Sequence, residues 1–119
     1  KRINKIKNII TNFLKNEKHK GKTIHCYGAS TKGNVLLQYF KLDNKIIDYA
    51  AERNPKKYNL FTPGTKIKII SEKKSRGILP NYYLVLPWHF KKEILKREKQ
   101  MLKKGSKFIF PLPNMSISS

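Results

Sequence analysis

The sequence predicts an α/β fold, in which an open parallel sheet of about five strands carries helices on both faces. Three observations support this fold class: helix-like and strand-like segments alternate, at least two predicted strands are continuously apolar, and the 119 residues suffice for one domain only. Continuously apolar strands are typical of a parallel sheet that is covered on both faces.

The first half of the chain contains two predicted helices and two predicted strands. Apolar residues at steps of three and four predict an amphipathic helix over 2–18. Residues 22–27 become apolar and predict a buried strand that ends at Gly28. A second helix over 31–41 and a second strand over 46–51 follow.

The middle of the chain predicts an edge strand and a central strand. Residues 66–70 alternate between polar and apolar, which favours a strand near one edge of the sheet. A short helix is predicted over 71–79. Residues 82–86 form an almost unbroken apolar run, which favours a strand covered on both faces and ended by Pro87.

The C-terminal part predicts one more helix and one more strand. Apolar residues from Phe90 to Leu102 define one face of a helix that ends at Gly105. Residues 107–110 predict the last strand, and residues 114–119 are expected to form a frayed, disordered tail.

The charge balance is strongly basic. The chain has 27 Lys and Arg residues against 7 Asp and Glu residues, a formal net charge of +20. Such a charge suits nucleic acid, anionic lipid or a phosphorylated small molecule. Only four of the basic residues are Arg, the residue that recognises phosphate bidentately. We therefore interpret the lysines mainly as solvating background, with small anionic ligands as the next alternative and nucleic acid as the least favoured one.

The cysteine count and the hydropathy pattern indicate the compartment in which the protein works. The single Cys26 cannot form an internal disulfide, which favours a reducing, cytoplasmic compartment. No apolar run approaches 18 residues, so no membrane span is expected. Because the chain begins with Lys1, we expect it to be part of a longer protein.

Three loops follow predicted strands and are therefore candidate ligand sites: 28–34, 52–57 and 87–90. Open parallel sheets bind ligands outside the carboxyl ends of their strands, at the point where the strand order reverses.

The loop after the first strand resembles the dinucleotide-binding pattern G-x-G-x-x-G. Gly28 and Gly33 match its first and third glycines, whereas Ser30 replaces the second. Ser30 is placed to cap the following helix, whose free amides attract anions, and Lys32 adds a full charge. A Gly-rich turn without a ligand remains the alternative. Asn34 follows Gly33, where a phosphate-binding P-loop requires Lys, so a P-loop is excluded.

The other two loops carry polar and aromatic residues. Glu52 ends the second strand and is a candidate for hydrogen bonds from a ribose diol, or else a surface acid paired with a basic neighbour. Arg53, Asn54 and Lys57 are candidates to donate hydrogen bonds to a phosphate, or else they belong to a solvated loop. Trp88 either stacks on a ring or fills the core.

Catalysis within this chain is not predicted. His89 lacks a nearby carboxylate in the sequence, so a hydrogen-bonding or structural role is preferred over that of a general base. Cys26 lies inside a predicted strand, and neither nucleophilic nor metal chemistry has a supporting cluster.

The motifs resemble one family over nearly the whole chain, from about residue 21 to 113. They are Tyr-Gly-Ala-Ser-Thr-Lys-Gly-Asn at 27–34, Glu-Arg-Asn-Pro-Lys at 52–56, Thr-Pro-Gly-Thr at 62–65, Pro-Trp at 87–88, and Phe-Ile-Phe-Pro-Leu-Pro at 108–113. In this order and spacing they resemble the C-terminal domain of SAM-dependent sugar C-methyltransferases. Cys26 stands where the family has Gly, and Glu52 where it has Asp.

The resemblance implies one part of a three-part enzyme. It implies an N-terminal zinc-binding module, a middle domain that binds SAM and carries the catalytic residues, and this Rossmann-like domain, which helps to hold the nucleotide-sugar substrate. The implied reaction removes a proton next to the keto group of a nucleotide-linked sugar, and the enolate attacks the SAM methyl group. Without the zinc module and SAM site, this chain is not expected to methylate alone.

We therefore predict an N-terminal helix over 1–20 that links to an upstream domain, the Rossmann-like domain over 21–113, and the tail over 114–119. The preferred function is nucleotide-sugar binding in a SAM-dependent C-methyltransferase. A basic module that binds nucleic acid without catalysis is the alternative. The candidate substrate-binding residues are Gly28, Ala29, Ser30, Thr31, Lys32, Gly33, Asn34, Glu52, Arg53, Asn54, Lys57, Trp88 and His89.

Overall fold

A computed structural model describes residues 2–119. It contains a six-stranded sheet in the order β3-β2-β1-β4-β5-β6, whose first five strands are parallel and whose last strand is antiparallel to β5. The strands are β1 Ile24–Tyr27, β2 Tyr49–Glu52, β3 Ile69–Ser71, β4 Tyr82–Val85, β5 Lys107–Phe110 and β6 Ser116–Ser118. The helices are α1 Arg2–His19, α2 Thr31–Tyr39, α3 Glu72–Ile78, α4 Lys91–Arg97 and α5 Lys99–Lys103.

Helices cover both faces of this sheet, which confirms the predicted α/β fold class. Helices α1 and α2 pack on one face through a cluster that includes Ile10, Leu14 and Leu37. Helices α4 and α5 pack on the other face through Ile94 and Met101. Because α1 contributes to the same core as the sheet, it belongs to the folded unit and is not a separate arm.

The sheet has one strand more than predicted, and the expected frayed tail is wrong for residues 116–118. This segment forms β6 and pairs with β5, with Ile117 opposite Ile109. The strand β5 would otherwise end the sheet with unpaired backbone groups, and the turn after Pro111 returns the chain alongside it.

Several predicted elements have different bounds in the structure. The strand predicted over 46–51 starts only at Tyr49, because the amides of Ile46 and Ile47 donate to the carbonyl of Asp43 in a turn. The strand predicted over 66–70 is β3 and lies at the sheet edge, as expected. The long C-terminal helix is interrupted at Glu98, whose ψ of 25° leaves the helical range.

A buried polar cluster lies between β1 and α3. His25 is fully buried, and its Nδ1 lies 2.6 Å from the hydroxyl oxygen of Ser75, which in turn lies 2.6 Å from that of Tyr83. The Nε2 atom of His25 has no hydrogen-bond partner among the described residues. Burial lowers the pKa of His25 to about 4, with Asp48 opposing this shift and Lys18 adding to it.

We expect His25 to make the stability of the domain depend on pH. The unfolded chain takes up the His25 proton near the usual pKa of 6.5, and the folded chain only near 4. The free energy of unfolding should therefore fall as the pH decreases between these values, by up to about 1.4 kcal/mol per pH unit. Urea unfolding of wild type and His25→Gln across this range measures the difference, with His89→Ala as the exposed control. Equal pH slopes for wild type and His25→Gln would contradict the prediction.

Within residues 2–119, none of the helices combines the length and the apolar character needed to cross a bilayer.

Candidate functional site

The strand order reverses between β1 and β4, the place where a sheet of this kind binds ligands. The loops that follow these two strands lie against each other. The amide of Leu86 donates to the carbonyl of Tyr27 at 3.3 Å, and a Cβ on Gly28 would lie 3.4 Å from the Pro87 ring. The predicted loops 28–34 and 87–90 therefore meet at one crevice.

Backbone and side-chain bonds fix the loop after β1. Gly28 has a φ of 97°, in the region that favours glycine, and its amide donates to the carbonyl of Ala51. The amide of Ala29 donates to Glu52 Oε1 at 3.1 Å, and Lys57 Nζ donates to the Ala29 carbonyl at 3.3 Å. Glu52 and Lys57 thus hold the Ala29 peptide from both sides.

The first turn of α2 leaves backbone donors available. Ser30 is the N-cap residue, and its Oγ accepts a hydrogen bond from the Gly33 amide at 3.0 Å. The amides of Ser30, Thr31 and Lys32 find no acceptor among residues 2–119. These amides carry the partial positive charge of a helix N-terminus, which suits an anion.

Gly33 and Asn34 attach this helix to its surroundings. A Cβ on Gly33 would lie 2.9 Å from the Leu86 Cβ, so only glycine permits this approach of α2 to the end of β4. Asn34 is buried, donates to the Pro63 carbonyl at 2.8 Å and accepts from the Thr65 hydroxyl at 2.7 Å. Both polar groups of Asn34 thus have protein partners, so the side chain braces the helix.

A cavity of about 640 Å³, the α2 cavity, opens at this helix N-terminus. It gathers five of the predicted residues, Ser30, Lys32, Gly33, Trp88 and His89, and its remaining lining is Leu36, Leu86, Pro87, Phe90 and Leu112. The rings of Trp88 and His89 stack with centroids 4.2 Å apart. An anion-attracting helix end therefore faces an aromatic and aliphatic wall across one cavity.

A second cavity of about 370 Å³, the α4 cavity, shares Pro87 and Phe90 with the α2 cavity. The predicted residues Gly28, Glu52 and Arg53 line it. The rest of its lining is Tyr27, Ala51, Glu72, Pro87, Phe90, Glu93, Ile94 and Arg97. Sequence reasoning missed Tyr27, Glu72, Glu93 and Arg97, whereas Phe90 belongs to the predicted loop 87–90. The sequence offered one signal for this cavity: the chain has only four Arg residues, and two of them line it.

A buried ion-pair network supports the α4 cavity. Glu98 accepts from Arg76 Nε at 2.9 Å and from the Tyr27 hydroxyl at 2.7 Å, and Arg97 donates to the same hydroxyl. Burial raises the pKa of Glu98, but the hydrogen bonds from Arg76 and Tyr27 outweigh burial and hold its pKa below the usual value. Glu98 is therefore an ionised, fully bonded anchor.

The other predicted residues have varied environments. The Oδ1 atom of Asn54 accepts from the Lys56 amide and caps a short 3-10 turn, and Thr31 is exposed. The Nε atom of Arg53 lies 3.9 Å from Glu72.

Burial raises the pKa of the Cys26 thiol to about 12, so Cys26 does not supply a thiolate. Among the described residues, no cluster of His, Cys, Asp and Glu could hold a metal ion.

Comparison with known proteins identifies the family. Residues 1–113 match the model of the C-methyltransferase C-terminal domain. The chain is also 37% identical over 99 residues to the C-methyltransferase NovU of Streptomyces niveus, an alignment that covers 83% of this chain and 24% of that protein. The chain thus spans about a quarter of the length of this curated relative. On this evidence, the chain belongs to the C-methyltransferase C-terminal domain family.

Proposed function

We propose that this domain binds the nucleotide-sugar substrate of a cytoplasmic, SAM-dependent C-methyltransferase that acts on a nucleotide-linked keto-sugar. The observation that carries the proposal is the open first turn of α2, with unpaired amides at Ser30, Thr31 and Lys32, beside the α2 cavity. A nucleotide sugar combines a diphosphate with uncharged rings, and this crevice offers donors for the first and apolar walls for the second.

Each part of the crevice has a distinct task in this proposal. The diphosphate lies at the amides of α2, where Lys32 adds charge, and Trp88 provides a surface for a ring. Glu52 already accepts hydrogen bonds from the amides of Ala29 and Asn54, and a ribose diol would use the remaining lone pairs of its carboxylate.

The methyl-transfer step belongs to the rest of the polypeptide in this proposal. SAM supplies the methyl group there, and the residues of this chain orient the sugar. A zinc site would likewise lie elsewhere, because the lone Cys26 is buried and the described residues contain no metal-binding cluster. The family does not favour the nucleic-acid alternative, in which the net charge of +20 would be the carrying feature.

We expect Lys32→Ala to weaken the binding of dTDP or UDP by about tenfold at low salt, because a cation is lost beside the diphosphate. Ser30→Ala should weaken it as well, because the N-cap that shapes the turn is removed, at a cost of about 1 kcal/mol in stability. Isothermal titration calorimetry measures both variants, and Lys15→Ala on the exposed side of α1 serves as the control. Wild-type affinity in both variants would remove this turn from the site.

The salt dependence of binding distinguishes the two function classes. A single nucleotide engages few phosphates, so its affinity should fall only gently as salt is added. Nucleic acid held by many lysines would release many counterions and lose affinity steeply. A steep salt slope for DNA or RNA, together with no binding of dTDP or UDP, would contradict the proposed function.

A further inference from the structure

Most of the Arg and Glu residues of this chain lie in or next to the α4 cavity. Three of its four arginines and four of its five glutamates line the cavity or bond to residues that do. The 23 lysines, by contrast, are absent from its lining. The cavity therefore differs in chemical character from the rest of this lysine-rich surface.

The charges in the cavity lining nearly balance. The lining contains the carboxylates of Glu52, Glu72 and Glu93 and the guanidinium groups of Arg53 and Arg97. The lining thus carries a formal charge of about −1 in a chain of +20, so it does not favour a phosphate. The first turn of α2, with its amides and Lys32, is the better place for an anion.

Two polar residues of the cavity lining, Tyr27 and Arg97, are held in place by the protein itself. Arg97 Nε donates to the Tyr27 hydroxyl at 3.0 Å, and that hydroxyl donates to Glu98, whose side chain is only 2% exposed. Arg76 holds the same carboxylate through two hydrogen bonds. The guanidinium of Arg97 is therefore oriented through its contacts with the core.

Donors and acceptors remain for a guest. Glu93 forms no hydrogen bond or ion pair with the described residues, and only the Nε of Arg53 approaches a carboxylate. Ala51 and Ile94 provide an apolar floor, and Phe90 is 55% exposed at the wall. The volume of about 370 Å³ is at the small end of ligand cavities.

We propose that the α4 cavity is a second subsite, which binds an uncharged ring that carries both hydrogen-bond donors and acceptors. This inference rests on the proposed function and deepens it, because it assigns an uncharged part of the nucleotide sugar to a place separate from the diphosphate. Two parts of such a ligand share this chemistry: the heterocyclic base with its ribose, and the hexose. Guanidinium groups donate to ring oxygens, and carboxylates accept from ring N–H or O–H groups.

Nuclear magnetic resonance titration of the ¹⁵N-labelled chain tests the assignment. Thymidine and uridine represent the nucleoside, methyl glucoside represents the hexose, and inorganic pyrophosphate represents the diphosphate. We expect one class of uncharged ring to shift the amide signals of Ile94 and Arg97, and pyrophosphate to shift those of Thr31 and Lys32. A response to the nucleosides assigns the cavity to the base, and a response to the glucoside assigns it to the hexose.

Two variants make the test specific. Arg53→Gln and Glu93→Gln should each weaken binding of the responding ring by about tenfold, because each removes a charged hydrogen-bonding group. Lys96→Gln, an exposed change on α4 outside the cavity lining, is the matched control and should leave the affinity unchanged. Arg53→Gln and Glu93→Gln both keep a polar side chain at the surface, and neither residue is part of the core.

The subsite is overturned if neither class of ring shifts the Ile94 and Arg97 signals, or if Arg53→Gln and Glu93→Gln bind the ring as wild type does. Pyrophosphate binding at Thr31 and Lys32 in the same titration would show that the proposed function survives this failure. If pyrophosphate does not bind but the ring does, the proposed diphosphate site at the first turn of α2 is contradicted and the subsite in the α4 cavity is retained.

Discussion

Replacing Glu98 with alanine is expected to lower the free energy of unfolding by about 3 kcal/mol, the lower end of the cost of breaking a buried ion pair, because the Arg76 partner is 35% exposed. The Glu98 side chain is only 2% exposed and neutralises Arg76, while it also accepts from the Tyr27 hydroxyl. Its removal leaves the buried Tyr27 hydroxyl without its acceptor and leaves the Arg76 guanidinium with Glu72 as its remaining carboxylate partner. Urea denaturation followed by circular dichroism measures this loss.

The neighbour of Glu98 supplies the control. Lys99→Ala changes an exposed residue at the start of α5 and should alter the free energy of unfolding by less than about 0.5 kcal/mol. Glu98→Gln keeps the shape but not the charge, so we expect an intermediate loss. If Glu98→Ala unfolds with the same midpoint and slope as Lys99→Ala, the network does not stabilise the fold.

Acid should remove the contribution of Glu98. Its pKa in the folded chain lies below the usual value of 4.5, so its stabilisation is complete above that pH and disappears as the pH falls further. The difference between wild type and Glu98→Gln should therefore shrink at pH 3. The loss due to His25 occurs at higher pH, between about 6.5 and 4, so the two groups can be separated.

The fold class and the crevice were predictable because they depend on local patterns. Continuous apolar runs indicated the central strands, and Gly28 with Gly33 indicated the turn that leads into α2. The strand β6 was not predictable in this way. β6 has only three residues, two of them Ser, and such a segment shows no hydrophobic period.

Contacts between distant residues could not be predicted from a single sequence. Tyr27 and Arg97 are 70 positions apart and meet only because β1 and α4 lie on the same side of the crevice. Asn34 was expected to face a ligand, but the Thr-Pro-Gly-Thr turn, about 30 residues further on, holds its side chain. A polar residue in a candidate ligand-binding loop thus serves to position the loop.

Gly33→Ala is the second change with a large expected effect. Alanine favours a helix by up to about 1 kcal/mol relative to glycine, but its Cβ would lie 2.8 Å from the Leu86 Cδ1 and 2.9 Å from the Leu86 Cβ. The Leu86 Cβ is fixed to the backbone at the end of β4, so α2 must move away. Overpacking of this kind typically costs about 1–3 kcal/mol, and we expect a net destabilisation.

Gly77→Ala separates this packing cost from the general effect of glycine in a helix. Gly77 lies in α3, and a Cβ there would meet no atom within 4 Å, so alanine should stabilise the domain by about 0.4–1 kcal/mol. Thermal unfolding of both variants should therefore give shifts of opposite sign. Gly33→Ala should also weaken dTDP or UDP binding, because displacement of α2 widens the crevice between Ser30 and Trp88, whereas Gly77→Ala should bind as wild type does. Stabilisation by both variants would mean that the stability of the domain does not require glycine at the close approach of α2 to β4.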